Sequence, residues 1–252
     1  MMKKIWIIGS SSGIGLQLLK LSLEHGFTVI ASSRNASSAE ELLKLKSIYK
    51  NNLHLLDIDV SNSQSTTKCV DEAFDILKDL DICFFNAGVY EAMNVEQWDI
   101  SNFESMINTN YLGAVRIIKP LFNYLKKQNK DSRIILNASL SSYFGLPYGG
   151  AYSASKAALV NLAQSIQPEF ARHNIYVQIV NHGFVKTRLT SKNDFEMPQL
   201  MSPEFTAQKI FEQFSKPYKF EIAFPFILSK FLRALSILPY KFSFSVTKKF
   251  LK

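Results

Sequence analysis

The stretch KKIWIIGSSSGIG, residues 3–15, joins a short apolar run to three closely spaced glycines. The run from Ile5 to Ile8 has the length and composition of a buried strand, and residues 13–25 have the periodicity of a helix. Glycines at positions 9, 13 and 15 permit a tight turn and let backbone N–H groups at the helix start approach an anion. The stretch therefore predicts a strand–turn–helix unit that binds a phosphate-bearing ligand such as a dinucleotide, with a simple tight turn as the alternative.

The rest of the chain continues this alternation of strand and helix. Apolar runs at residues 28–32, 53–60, 81–86, 133–139, 176–181 and 220–224 are candidate strands. Amphipathic segments at residues 39–49, 63–77 and 110–125, and another that begins near residue 151, are candidate helices, the last of which Pro168 is expected to kink or end. Because strands separated by helices need crossover connections, we expect a doubly wound parallel sheet in a three-layer α/β/α sandwich.

The length of the chain fits one large domain or two small ones, and no linker, repeat or low-complexity tract divides it. The chain has 252 residues, of which 47% are hydrophobic, and this is enough for an extensive core. Two cysteines, Cys69 and Cys83, lie far apart in apolar surroundings and indicate neither a disulfide framework nor a metal site. We therefore expect both cysteines to be reduced thiols in a cytoplasmic protein. No stretch approaches the ~18 uninterrupted apolar residues of a membrane-spanning helix.

The segment AYSASK, residues 151–156, places Tyr152 and Lys156 four positions apart at the start of a predicted helix. Side chains at this spacing lie on the same face of a helix. In isolation the pair is most simply a half-buried tyrosine beside an amphipathic lysine. It also suits proton transfer, because a neighbouring ammonium favours the phenolate form of tyrosine.

The order of several motifs resembles the short-chain dehydrogenases/reductases over about residues 4–224. The glycine spacing GxxxGxG precedes the sequence NAG at residues 86–88, which follows the fourth predicted strand. Asn110 lies in the motif NYLG, and Ser139 stands thirteen residues before Tyr152. The resemblance implies a single Rossmann-like domain, residues 1–224, that binds a nicotinamide dinucleotide and interconverts a carbonyl and an alcohol.

The resemblance also implies the catalytic roles of four residues. Tyr152 would act as general acid/base, Ser139 would orient the carbonyl, Lys156 would bind the nicotinamide ribose and Asn110 would hold a water in a proton relay. Lys156 and an oxidised, cationic nicotinamide would bring the pKa of Tyr152 nearer to neutrality.

The end of the second strand predicts which cofactor is bound. No acidic residue lies between His25 and Ala39, and Arg34, with Ser33 beside it, suits a 2′-phosphate. We therefore predict NADP(H), with an exposed loop arginine as the alternative. The resemblance implies cofactor contacts at Gly9, Ser11, Ser12, Gly13, Ile14, Gly15, Ser33, Arg34, Asp59, Val60, Asn86, Ala87, Gly88, Tyr152, Lys156, Gly183, Val185 and Thr187.

Residues between Ser139 and Tyr152 indicate the character of the substrate. Tyr143, Phe144 and Leu146 predict an apolar wall beside the reacting carbon, and hence a lipophilic carbonyl or alcohol. Packing of a short lid, residues 189–201, against the body is the alternative role for these side chains. His182 stands where the family usually has proline, next to the expected nicotinamide loop.

The C-terminal extension, residues 225–252, is basic and apolar. Residues 216–252 hold eight Lys or Arg and one acid, Glu221, within a chain of net charge +8. The extension is interpreted as a peripheral membrane segment at the inner face of a bilayer, as a lid over the substrate cleft, or as a subunit interface in a homo-oligomer. No nucleic-acid partner is expected, because the cations are interleaved with bulky aliphatic residues.

Two other functions fit parts of this pattern. A non-catalytic NADP(H)-binding sensor or scaffold could use the extension to bind a partner or a membrane, but four intact catalytic positions favour an enzyme. A nucleotide-sugar epimerase would need a larger substrate domain than this chain can supply.

Overall fold

Seven parallel strands form one sheet in the order β3-β2-β1-β4-β5-β6-β7 in the computed structural model, which describes residues 3–251. Met1 and Met2 of the predicted catalytic domain and Lys252 of the extension lie outside the described residues. The strands are β1 Lys4–Ile8, β2 Thr28–Ser33, β3 Leu53–Asp57, β4 Ile82–Phe85, β5 Ser132–Asn137, β6 Ile175–His182 and β7 Glu221–Phe224. The predicted doubly wound parallel sheet is confirmed, and its strand order reverses between β1 and β4.

The helices cover both faces of this sheet. They are α1 Gly13–Glu24, α2 Glu40–Ile48, α3 Ser63–Leu77, α4 Ile100–Met106, α5 Gly113–Lys127, α6 Gly150–Ala171, α7 Pro203–Phe211, α8 Phe226–Ile237 and α9 Tyr240–Thr247. The segment predicted as one helix over residues 110–125 includes part of a π-helical turn, Ile107–Leu112, that joins α4 to α5.

Pro168 lies inside α6, so of the two predicted effects the end of the helix is wrong, and a kink stays a prediction. The helix continues for three more residues to Ala171, and its last turn carries the buried Phe170. The Phe170 ring contacts Phe122 of α5 with the centroids 4.7 Å apart. The burial of this aromatic pair offsets the loss of the backbone hydrogen bond that proline cannot donate.

The core lies in two layers, one on each face of the sheet. Successive residues of β1 point to opposite faces: Ile5 and Ile7 pack with α1, α2 and α7, whereas Trp6 and Ile8 pack with α3, α5 and α6. All four are fully buried. Each large aliphatic side chain buried in this way contributes roughly 1.5–3 kcal/mol.

The glycine turn after β1 is packed against the loop that follows β4. A Cβ at Gly9 would lie 2.6 Å from the Ala87 nitrogen, and one at Gly15 would lie 2.0 Å from the Gly9 oxygen. Gly9 also has φ +89°, a conformation that side chains disfavour. The amide of Asn86 donates a hydrogen bond of 2.7 Å to the Gly9 carbonyl and holds the two loops together.

Gly9→Ala is expected to destabilise the protein much more than Gly26→Ala. Gly26 also has positive φ, +77°, but a Cβ there meets no described atom within 4 Å. Gly26→Ala should therefore cost only the backbone strain, about 1–2 kcal/mol. Gly9→Ala adds a backbone clash and should cost at least about 3 kcal/mol in total. Urea unfolding measures both free energies, and equal losses would contradict the packing described for the turn.

Candidate active site

A cleft of about 920 Å³ opens at the carboxyl ends of the strands, where the strand order reverses. Gly15 and Asn110 lie behind its wall: Gly15 packs against Gly9, and Asn110 is fully buried. The other predicted site residues line the cleft, namely Gly9, Ser11, Ser12, Gly13, Ile14, Ser33, Arg34, Asp59, Val60, Asn86, Ala87, Gly88, Ser139, Tyr152, Lys156, Gly183, Val185 and Thr187.

The start of α1 forms one end of the cleft. Ser12 is the N-cap residue, and within the described chain its side chain accepts no hydrogen bond from the first-turn N–H groups. Those donors and the positive end of the helix dipole are therefore available to an anionic ligand. Thr187 faces this turn from the loop after β6, with its methyl carbon 3.2 Å from where a Gly13 Cβ would lie.

Charged side chains gather where β2 and β3 end. Asp59 accepts a hydrogen bond of 2.6 Å from the Ser61 hydroxyl, and this bond is the main cause that lowers the pKa of Asp59. The positive charges of Arg34 and Arg116 lower it further. Arg34 itself is exposed at the mouth of the cleft. This end thus presents a guanidinium and a carboxylate that remains ionised at neutral pH.

Lys156 is buried in the cleft wall at the start of α6. Its ammonium donates a hydrogen bond of 2.6 Å to the carbonyl oxygen of Asn137, the last residue of β5. The Nζ atom lies 5.6 Å from the centroid of the Tyr152 ring. Burial lowers the pKa of Lys156 to about 8, because desolvation penalises the charged form.

Tyr152 lies beside Lys156 and is partly buried. Its ring makes an edge-to-face contact with Tyr90 at 4.9 Å between centroids. Burial raises the pKa of Tyr152 well above its usual range, and a hydrogen bond with the Ser139 side chain opposes this rise only partly. We expected Lys156 to bring this pKa nearer to neutrality. In the protein without a bound cofactor, desolvation has the larger effect on the pKa of Tyr152, because burial disfavours the charged phenolate.

Ser139 is held in place by contacts on both sides. Its hydroxyl oxygen accepts hydrogen bonds from the Ser141 nitrogen, at 3.2 Å, and the Ser141 hydroxyl, at 3.0 Å. Its backbone nitrogen donates to the side-chain oxygen of Asn181, at 3.2 Å. Asn181 in turn donates to the carboxylate of Glu221 at 2.7 Å, so β6 and β7 both support the serine.

Asn110 connects the loop after β4 to α6. The π-helical turn directs its amide inward, where it accepts from the Val89 nitrogen at 2.8 Å and donates to the Val89 oxygen at 3.0 Å. It also donates to the Ser155 hydroxyl at 2.9 Å. These bonds fix the position of the loop that carries Gly88 and Val89 relative to the helix that carries Tyr152 and Lys156.

Four further residues shape the site and were not predicted from the sequence. Tyr90 contacts Tyr152, Asn137 anchors Lys156, and Leu228 and Leu232 of α8 line the cleft. The position of Asn137 at the end of a predicted strand was a usable signal. The spacing of four between Leu228 and Leu232 shows that they share a helix face, but only the fold shows that this face meets the cleft.

His182, at the position where the resemblance implies proline, also lines the cleft. Its Nδ1 donates a hydrogen bond of 2.7 Å to the Gly183 carbonyl oxygen. Burial, the largest cause, and the charge of Lys156 lower the pKa of His182 to about 4. The imidazole is therefore neutral at physiological pH.

The family model described as short chain dehydrogenase matches residues 3–197, which is more than half of the chain. The chain belongs to the short-chain dehydrogenase family. This membership makes it an oxidoreductase by family and confirms the resemblance inferred from the glycine turn, NAG and YSASK.

Relatives within the short-chain dehydrogenase family are distant in sequence. An uncharacterized oxidoreductase of Schizosaccharomyces pombe is 31% identical over 194 residues, which are 75% of this chain and 63% of the relative. The uncharacterized oxidoreductase YusZ of Bacillus subtilis is 30% identical, with 76% of this chain and 68% of YusZ covered. The crystal structure of a short chain dehydrogenase from Burkholderia cenocepacia in complex with NADP superposes with a TM-score of 0.83 at 19% identity, covering 100% of this chain and 98% of that one.

The depressed pKa of Lys156 predicts how stability depends on pH. The unfolded chain binds this proton up to about pH 10.5, whereas the folded protein releases it near pH 8. Between these values the unfolded state binds more protons, so wild type should gain stability as pH rises, whereas Lys156→Met should not show this gain.

Between pH 7.5 and 9.5 the free energy of unfolding of wild type should rise by about 2 kcal/mol relative to Lys156→Met, since one pKa unit corresponds to about 1.4 kcal/mol. Urea unfolding at pH 7.5, 8.5 and 9.5 measures it. Lys119→Met, which removes an exposed lysine of α5, is the control and should follow the wild-type profile. A constant difference between wild type and Lys156→Met would contradict the depressed pKa.

Proposed function

We propose that the protein is an NADP(H)-dependent oxidoreductase that interconverts a carbonyl and an alcohol by hydride transfer, with Tyr152 as general acid/base. One observation carries this proposal. The hydroxyls of Tyr152 and Ser139 and the ammonium of Lys156 share one wall of a cleft that ends at a glycine turn and an uncapped helix start. A proton donor and a dinucleotide site are thereby combined in one cavity.

The residues of the cleft fit a nicotinamide dinucleotide. The turn from Gly9 to Gly15 would hold the pyrophosphate, and Asp59 and Val60 would contact the adenine. Two buried polar atoms in the wall, Asn137 Oδ1 and Ser153 Oγ, have no hydrogen-bond partner among the described residues, as expected for groups that face a polar ligand.

Arg34 supports NADP(H) over NAD. Its guanidinium is exposed at the cleft mouth, near the end of β2, where the fold receives the adenosine ribose. Arginine binds phosphate through charge-assisted, often bidentate hydrogen bonds. The Burkholderia cenocepacia relative, whose fold superposes over the whole chain, was crystallised in complex with NADP.

The bound cofactor supplies the hydride, and the protein supplies the proton and holds the carbonyl. Burial keeps Tyr152 protonated at neutral pH, so the phenol can donate to the substrate oxygen as the carbonyl is reduced. Ser139 would donate a second hydrogen bond to the same oxygen. The phenolate that remains is stabilised by the Lys156 ammonium and by the Ser139 hydroxyl.

The substrate half of the cleft favours a lipophilic aldehyde, ketone or alcohol. Leu140, Leu146 and Pro147 line it from the loop after β5, and Leu228 and Leu232 line it from α8. The prediction that Tyr143 and Phe144 also belong to this wall is wrong, because their rings contact Arg233 of α8 and Phe244 of α9 instead. Phe184 and Phe195 also contribute to the lining, with their rings 6.1 Å apart. These side chains offer apolar contact and few hydrogen bonds, and α8 acts as a wall of the substrate site.

Tyr152→Phe should lower the rate of NADPH oxidation by lipophilic aldehydes and ketones at least about 100-fold, because it removes the proton donor. NADPH affinity, measured by the fluorescence of the bound cofactor, should stay within about 2-fold of wild type, because the ring and its packing are retained. Tyr49→Phe, directly after α2 and away from the cleft, is the control and should leave turnover unchanged. NADPH binding without tyrosine-dependent turnover on any carbonyl would instead indicate a sensor or scaffold.

Arg34→Ala should raise the KM for NADPH about 10-fold or more and leave the KM for NADH within about 2-fold, since a hydrogen bond to a charged group contributes about 1.5–3 kcal/mol. Arg172→Ala removes an exposed arginine at the end of α6 and is the matched control. An equal loss with both cofactors would show that Arg34 does not contact the 2′-phosphate.

A further inference from the structure

The exposed side chains of residues 226–251 form a surface that is both apolar and cationic, here called the tail surface. Phe226, Ile227 and Tyr240 are each exposed by 70% or more, and Ile237 is exposed by 83%. Residues 225–251 contain five Lys or Arg and no acidic residue. Such a concentration of exposed aromatic and aliphatic side chains is unusual for a surface that meets only water.

The inner face of α8 fixes the orientation of this surface. Leu232 and Leu235 are buried against Leu140. Arg233 forms an ion pair with Glu221, whose carboxylate also accepts a hydrogen bond from the Tyr143 hydroxyl. Because these contacts hold one side of α8 against the body, the exposed residues Phe226, Ile227, Lys230, Phe231, Ala234 and Ile237 point away from it.

The exposed aromatic rings lie next to cations and to one another. The Lys230 ammonium lies 5.5 Å from the centroid of the Phe226 ring. Phe231 of α8 and Phe250, which follows α9, have ring centroids 6.4 Å apart, so the two ends of the segment share one side of the molecule. Within the described chain Lys230 forms no ion pair, and neither do Lys241, Lys248 and Lys249.

Charge decides between the candidate occupants of this surface. A two-fold contact with a second copy would place the cations of one tail surface against the same cations of the other, because such contacts are self-complementary. An anionic lipid surface instead offers phosphate and carboxylate groups to the lysines and acyl chains to the aromatic residues. No helix within residues 3–251 is long and apolar enough to cross a bilayer.

We propose that the tail surface docks the protein on an anionic phospholipid bilayer, with the axis of α8 along the membrane plane. Phe226, Ile227 and Phe231 would enter the headgroup region, and Lys230, Lys241 and Lys248 would contact the lipid phosphates. The opposite face of α8 lines the catalytic cleft through Leu228 and Leu232. Docking therefore brings the apolar substrate wall next to the lipid phase.

Vesicle sedimentation with the full chain tests this proposal. Wild type should bind vesicles of phosphatidylcholine with about one third phosphatidylserine at least about 10-fold more tightly than phosphatidylcholine alone, and high salt should weaken this binding. The variant Lys230→Glu/Lys241→Glu/Lys248→Glu should lose this preference. The control variant Lys50→Glu/Lys119→Glu/Lys127→Glu makes the same change in net charge at exposed lysines elsewhere and should retain it.

If both triple variants lost the preference for anionic vesicles equally, the proposal would be overturned, because the effect would then reflect net charge alone. The failure of wild type to bind the anionic vesicles would also overturn it. Sedimentation velocity without lipid tests the alternative occupant, a second copy of the chain. If wild type is a dimer and the variant Lys230→Glu/Lys241→Glu/Lys248→Glu is a monomer, the tail surface is a subunit interface and the proposal is wrong. Unchanged thermal midpoints and unchanged NADPH affinity show that each variant is folded, whichever outcome is found.

Discussion

The backbone of Gly9 lies directly against the backbone of Asn86 and Ala87, and the position of the whole site depends on this contact. It joins the loops after β1 and β4, the two strands at which the sheet order reverses. The start of α1 then faces the cleft on one side, and Asn110 connects the loop after β4 to α6 on the other. A side chain at Gly9 would separate the two loops, and the phosphate end of the cleft would lose its position relative to Tyr152.

Desolvation sets the protonation states of Tyr152 and Lys156 in the cleft. Burial raises the pKa of Tyr152 and lowers the pKa of Lys156 to about 8, because desolvation disfavours the charged form of each group. The phenol is therefore protonated at neutral pH, as a proton donor for the reduction of a carbonyl must be. Ser139 is the group that offsets this burial for the phenolate, and β6 and β7 hold it there through Asn181 and Glu221.

Local patterns were sufficient to predict the parallel sheet, the glycine turn and the family, because strand and helix periodicity and motif spacing are properties of short segments. They were not sufficient for features that depend on tertiary burial. Pro168 remains inside α6 because Phe170 is buried beyond it, and the pKa of Tyr152 rises because desolvation disfavours the phenolate. The placement of Leu228 and Leu232 in the cleft likewise follows from how α8 packs on Leu140, a contact between distant parts of the chain.

Transfer of isotope from the cofactor to the product tests the central claim most directly. NADPH carrying deuterium at both hydride positions of the nicotinamide ring would be incubated with the protein and a lipophilic aldehyde, and the alcohol analysed by mass spectrometry. Hydride transfer predicts one deuterium per alcohol, on the carbon that bears the hydroxyl, with the hydroxyl proton drawn from water. An alcohol free of deuterium, or no alcohol formed from any aldehyde or ketone tested, would contradict the account.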